Sequence, residues 1–183
     1  MEETIEQPTL LKHAIRWGLI VGGVSIGLTT LLYIIDYTLM VQLKTLFTLL
    51  AIYLGFVIYA GIDYRKTVGG FLSYGKAWQH GFVILAMSGV VATIFNFVLY
   101  NLIDPELPQK LTDASIENTR AMMERFGAPE ASMDQALAQA RESTSKQFTP
   151  AGQALGFLTI LASSAIVALI SALFVRKNEP VAS

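Results

Sequence analysis

Three side chains on one helical face are the strongest candidates for chemistry in this chain. Asn96, Tyr100 and Asp104 follow one another at four-residue spacing, so a helix stacks them on one side, with Asn101 beside them. An amide, a phenol and a carboxylate in such a row can hydrogen-bond a polar ligand or head group. They can equally bond across to neighbouring helices. Arg65, Lys66 and Lys76 form a second group, whose charges suit contacts to anionic lipid head groups. The segment from Gly70 to Ala77 is one residue short of a phosphate-cradling glycine loop with its lysine. Ala77 has no hydroxyl for a metal, the intervening residues are apolar and aromatic, and no strand precedes them. The segment therefore reads as a Gly69-Gly70 turn, a short interfacial stretch and a helix beginning at Ser73. His13 and His80 read as isolated interfacial imidazoles without a carboxylate partner, not as metal ligands. No serine–histidine–aspartate set, no paired carboxylates at membrane depth and no HExxH motif is present. With no cysteine, disulfides, iron–sulfur clusters and thiolate zinc sites are excluded. The expectation is a non-enzyme without cofactor or metal.

The elements that would position these residues are long and apolar. Four runs dominate: residues 17–35, 45–62, 77–103 and 147–175, none of them with a charge except at its edges. A helix rises about 1.5 Å per residue, so about 18 residues approach the roughly 30 Å hydrocarbon core of a bilayer. Four such helices in 183 residues leave too little polar chain to wrap them as a soluble core. Hydrophobic residues at 53% and charged residues at 15% agree with a membrane protein. The expected fold is all-α: an integral membrane four-helix bundle, a single domain over 1–183, with spans at about 17–35, 45–62, 79–103 and 151–175. The first run is longer than a signal-peptide core and is followed by Asp36-Tyr37-Thr38 instead of small residues, so it reads as an uncleaved anchor.

Lysine and arginine mark the cytoplasmic flanks. Lys12, Arg16, Arg65, Lys66, Lys76, Arg176 and Lys177 all fall on one side of a four-span threading. The first connection offers only Lys44, and the 104–149 connection carries more acids than bases. Both termini are thus expected in the cytoplasm, with Trp17 and Trp78 at the same interface. Asp36, Asp63 and Asp104 lie at span ends, and the absence of a charge at mid-depth weakens a transporter reading.

The 104–149 connection is too long for a featureless loop. It is expected to be an extracytoplasmic helical hairpin between spans three and four. Thr112 or Asp113 would cap its first helix, Gly127 and Pro129 would stop it, and a Ser132-x-x-Gln135 capping box would open the second. Thr149-Pro150 would begin the last span. The hairpin would pack on itself or lie on the outer surface, with docking of a periplasmic partner as the alternative.

Small residues recur at packing distance: Gly18 and Gly22, Gly23 and Gly27, Ala51 and Gly55, Gly152 and Gly156. They predict close packing within the bundle, with spans one and four meeting through Gly22 or Gly27 and Gly156. A homo-oligomer is the alternative use of these faces.

Three local patterns carry a resemblance. They are Asp63-Tyr64-Arg65-Lys66, the stretch from Gly69 to Trp78, and Tyr100-Asn101-Leu102-Ile103-Asp104-Pro105. Together they resemble the bacterial membrane family catalogued as domain of unknown function forty-one ninety-nine, common in the Bacteroidetes, over about Leu10 to Lys177. The resemblance implies a four-span inner-membrane protein with a variable outer insertion. It implies no activity, ligand or catalytic residue.

The functional expectation is a multi-pass protein of the bacterial inner membrane that packs with or scaffolds other membrane components, or serves as an accessory subunit. Its partners would be the lipid bilayer and a membrane or periplasmic protein, not nucleic acid. The alternative is a small transporter or lipid-binding protein using the Asn96, Tyr100, Asp104 face.

Overall fold

The computed structural model describes residues 9–179; the ends of the 1–183 domain read from the sequence lie outside them. Helix α1 runs Leu10–Asp36, followed by a 3-10 turn at Tyr37–Val41 and α2 at Leu43–Thr67. Helix α3, Tyr74–Val98, widens into a π turn at Leu99–Ile103. Helices α4, Leu107–Arg125, and α5, Glu130–Gln147, precede α6 at Pro150–Val175. The described residues are helical throughout, apart from turns and one isolated antiparallel bridge between Leu72 and Lys177.

Four of these segments are long and apolar enough to cross a membrane: Leu10–Val41, Leu43–Thr67, Tyr74–Ile103 and Pro150–Val175. Their outward side chains confirm the solvent they need. Ile34, Ile35, Ile94, Leu155 and Phe174 are all exposed, a cost in water that a bilayer removes. The protein is a multi-pass, all-α membrane protein.

Local chemistry sets the helix ends. The Thr9 hydroxyl accepts the Lys12 N–H to cap α1. Gly69 and Gly70, at φ +88 and +85, terminate α2, where the Gly70 N–H reaches the Arg65 carbonyl at 2.9 Å. Thr149 caps α6 as expected, its hydroxyl accepting the Gly152 N–H at 3.1 Å. The hairpin helices begin elsewhere than the sequence reading expects. Helix α4 starts at Leu107 with Pro108 in its first turn, which leaves Thr112 buried inside the helix, donating to the Pro108 carbonyl. Helix α5 starts at Glu130 after Pro129, and Ser132 donates back to the Pro129 carbonyl instead of capping.

The chain divides into two compact units, residues 1–25, 50–92 and 159–183 in one and 26–49 and 93–158 in the other. In the first, α3 packs against α1, α2 and α6 across glycines. A Cβ on Gly18 would lie 2.6 Å from Met87 Cβ, and one on Gly22 would lie 2.7 Å from Val91 Cβ. On another face of α3, a Cβ on Gly81 would meet Ser171 Oγ at 3.0 Å and Val57 Cγ1 at 3.1 Å. Ala14, Val21, Val57, Ala60, Ile84 and Leu85 form the core there. The expected pairing of spans one and four through glycine is thereby corrected: Gly22 faces α3, while Gly27 and Gly156 have open space beside them. In the second unit, Leu99, Leu107 and Leu111 pack with Tyr33, Tyr37, Met40 and Phe148, seating α4 on the 3-10 turn.

Candidate functional site

Of the polar face named first in the sequence, Asp104 is the member with hydrogen-bond partners among the described residues. Asp104 ends the π turn, its own N–H bonded to the Leu99 carbonyl. Its carboxylate accepts from the Tyr33 hydroxyl at 3.2 Å, from the Glu106 N–H at 3.1 Å and from Lys110 Nζ at 3.5 Å. Desolvation pushes the Asp104 carboxyl upward, yet the Tyr33 hydrogen bond, the Lys110 charge and the Glu106 N–H outweigh it and hold the group below its ordinary value. Desolvation likewise opposes the charge on Lys110, but Glu106 and Asp104 hold its ammonium above the usual range. Tyr100 meets Phe148 edge-on at 5.2 Å between ring centres. Asn96 is half-buried, and Asn101, on the surface, donates to the Phe97 carbonyl. Through Asp104 this face fastens α1, α3 and α4 within its unit, and Lys110, which pairs with it, is shared between Asp104 and Glu106.

The basic group divides. Arg65 donates to the Val175 carbonyl at 2.7 Å and ties α2 to the end of α6. Lys66 is exposed in the last turn of α2, where its charge favours the helix dipole. Lys76 lines a cleft of about 350 Å³ together with Tyr64, Ser73, Lys177 and Glu179. The cleft exists because the chain after α6 returns to the α2–α3 connection. Leu72 and Lys177 exchange backbone hydrogen bonds at 2.9 Å in each direction. Lys177 also lies over the Phe71 ring, 5.4 Å from its centre. In the sequence Lys177 counted only as a flanking charge, and this return of the chain was not foreseen, because no pattern within the tail points to Leu72.

A third group corrects the sequence reading, in which His13 and His80 stood as interfacial imidazoles without a carboxylate partner and Asp63 only as a charge at a span end. His13 and His80 are not isolated. His13 Nε2 lies 3.2 Å from Asp63 Oδ2, and His13 Nδ1 lies 2.9 Å from His80 Nε2. Helices α1, α2 and α3 supply one member each. His80 is 0% exposed, and its Nδ1 has no hydrogen-bond partner among the described residues. The Tyr64 ring stacks on His80 at 4.9 Å and 11°. The three groups form a chain, not a cage: both His13 nitrogens are already engaged along it. The signal that could have found them is depth. All three fall within a few residues of the same expected membrane face, on consecutive antiparallel spans.

Comparison with curated proteins finds no match, and comparison with solved structures finds none. The three patterns that carried the resemblance in the sequence, residues 63–66, 69–78 and 100–105, lie within one matched region. The chain belongs to the family described as protein of unknown function (DUF4199), a model of which matches residues 16–177.

Proposed function

We propose that this is a non-enzymatic accessory protein of the bacterial inner membrane, with both termini cytoplasmic, that holds a phospholipid head group at its basic end. The observation that carries the reading is the cleft between the α2–α3 connection and the returning tail. Its lining includes two lysines, Lys76 and Lys177, with the hydroxyl residue Ser73 and the acidic residue Glu179. A phosphate ester suits the lysines and the hydroxyl. All seven cations that the charge asymmetry assigns to the cytoplasmic side belong to the unit that contains this cleft. That clustering supports the orientation and a surface for anionic lipid. A head group there would sit beside backbone that joins three helices, so lipid and packing would stabilise each other.

The alternative, a ligand or transport site on the Asn96, Tyr100, Asp104 face, loses support because Asp104 is bonded by groups of its own unit. Native mass spectrometry of the protein extracted in mild detergent tests the lipid reading. One phospholipid should be retained by the wild type and lost from the double variant Lys76→Ala, Lys177→Ala. Equal retention by both, or none by the wild type, refutes it. Co-purification from the same extract would name the membrane partner that an accessory role requires.

A further inference from the structure

We propose that Asp63, His13 and His80 form a proton-binding relay that joins the surface at Asp63 to a buried basic nitrogen, His80 Nδ1.

Geometry sets the direction of the bonds. Asp63 keeps 45% of its side-chain surface exposed, and an aspartate carboxylate has no proton to donate. It can only accept, so His13 Nε2 carries the proton between them, at 3.2 Å. With that ring in its neutral form, Nδ1 offers a lone pair. His80 Nε2 must donate to it, at 2.9 Å. That leaves His80 Nδ1 as a bare lone pair, fully buried and without a partner among the described residues. One acidic oxygen at the surface thus fixes the tautomer of a ring two hydrogen bonds away.

A pair that served packing alone would not end on an unsatisfied base. A buried polar atom without a partner costs about 1–3 kcal/mol. Here that atom stands at the inner end of a continuous hydrogen-bonded chain whose outer end meets the surface. Groups around the relay leave it undisturbed. On α1, Lys12 and Arg16 are exposed, and on α3 so is Lys76. On α2, Tyr64 stacks on His80 and Arg65 is committed to the Val175 carbonyl. The buried residues of α6 are Ser164, Ala168, Ser171, Ala172 and Val175, none of them charged.

The transfer balances. A proton delivered to His80 Nδ1 by hydronium, admitted when the helices part, releases the Nε2 proton of that ring to His13 Nδ1. His13 passes its own Nε2 proton to the Asp63 carboxylate, and Asp63 gives a proton to water. One proton enters and one leaves, and each ring ends as its other tautomer. In that state the sequence runs only in reverse: a proton taken by Asp63 emerges at His80 Nδ1. The relay therefore alternates in direction, and protonation at its inner end places a new N–H donor among α1, α2 and α3.

The chain contains only two histidines, and both are in the relay, so selective ¹⁵N-histidine labelling reports on nothing else. NMR of the full chain in nanodiscs at neutral pH should show both rings fixed as the Nε2–H tautomer. Asp63→Asn should change the His80 resonances as well as those of His13. Exchange of the His80 ring proton with water should slow roughly tenfold or more in that variant. Two results overturn the proposal. One is a wild-type spectrum in which the rings show the tautomer mixture of free imidazole, a measurement that needs no variant to fold. The other is an unchanged His80 tautomer and exchange rate in an Asp63→Asn protein whose His13 signals have moved.

Discussion

Gly22 lies against Val91: a Cβ built on the glycine would be 2.7 Å from the Val91 Cβ. No side chain fits that gap unless α1 or α3 moves. In a membrane, where no hydrophobic effect drives one helix onto another, such close backbone approach is what holds the contact. Gly22→Leu should overpack it and cost about 1–3 kcal/mol. Gly156→Leu, with nothing within 4 Å of the added Cβ, should leave stability nearly unchanged. Thermal unfolding in detergent checks both. Equal destabilisation by the two would contradict the pairing of α1 with α3.

The Asp104 carboxyl, held below its ordinary value, makes a pH prediction with a definite sign. A carboxyl whose pKa falls on folding contributes stability that is present above its unfolded value, about 4, and is lost as pH drops through the folded value. The wild type should therefore lose thermal stability on acidification below about pH 4. Asp104→Asn, already lacking the charge, should begin less stable and show a smaller loss over that range. Identical acid profiles for the two would mean that Tyr33 and Lys110 contribute nothing through this group.

The return of the tail to Leu72 should matter for both stability and lipid. Two backbone hydrogen bonds join Leu72 and Lys177, and bonds of this kind contribute about 1 kcal/mol each. A chain ending at Val175 loses both, and with them Lys177 and Glu179 from the cleft. It should unfold at lower temperature and retain less phospholipid in mild detergent. Charge reversal by Lys177→Glu separates the effects: it keeps the backbone bonds and should reduce lipid retention with little change in the unfolding midpoint.

The four long helices were legible because their signal is uniform. Some eighteen uncharged apolar residues in a row have few competing structures. Helix α1 nevertheless begins at Leu10, seven residues before its uncharged run, because the mixed stretch at residues 10–16 continues a helix once it is nucleated. The hairpin was legible as two helices, but its caps were not. Thr112 and Ser132 have the right chemistry for capping, and the prolines at 108 and 129 decide the starts instead. The Asp63–His13–His80 chain was missed for a different reason. Its members stand 50 and 67 positions apart along the chain, and no local pattern encodes which faces of three helices meet. The Asn96, Tyr100, Asp104 row shows the converse. Its spacing was plain, but spacing cannot say whether a polar row bonds to a ligand or, as Asp104 does, to Tyr33 and Lys110.

The joint between α4 and α5 can report the orientation of the whole chain. Gly127, at φ +68, turns the backbone there, and Phe126 is 84% exposed. A left-handed position strains any residue with a Cβ by about 1–2 kcal/mol, so Gly127→Val should loosen the joint further. The ion pairs of the hairpin, Arg141 with Asp113 between α5 and α4 and Lys146 with Glu142 within α5, involve no residue of the joint. An exposed turn between two helices is where a protease cuts first. If both termini are cytoplasmic, protease added to intact spheroplasts should cleave between Arg125 and Glu130, and Gly127→Val should speed that cleavage. A tag fused after the C-terminus should survive the same treatment. Cleavage of the tag with the joint intact would reverse the orientation, and with it the assignment of the lysine cleft and of Asp63 to the cytoplasmic face.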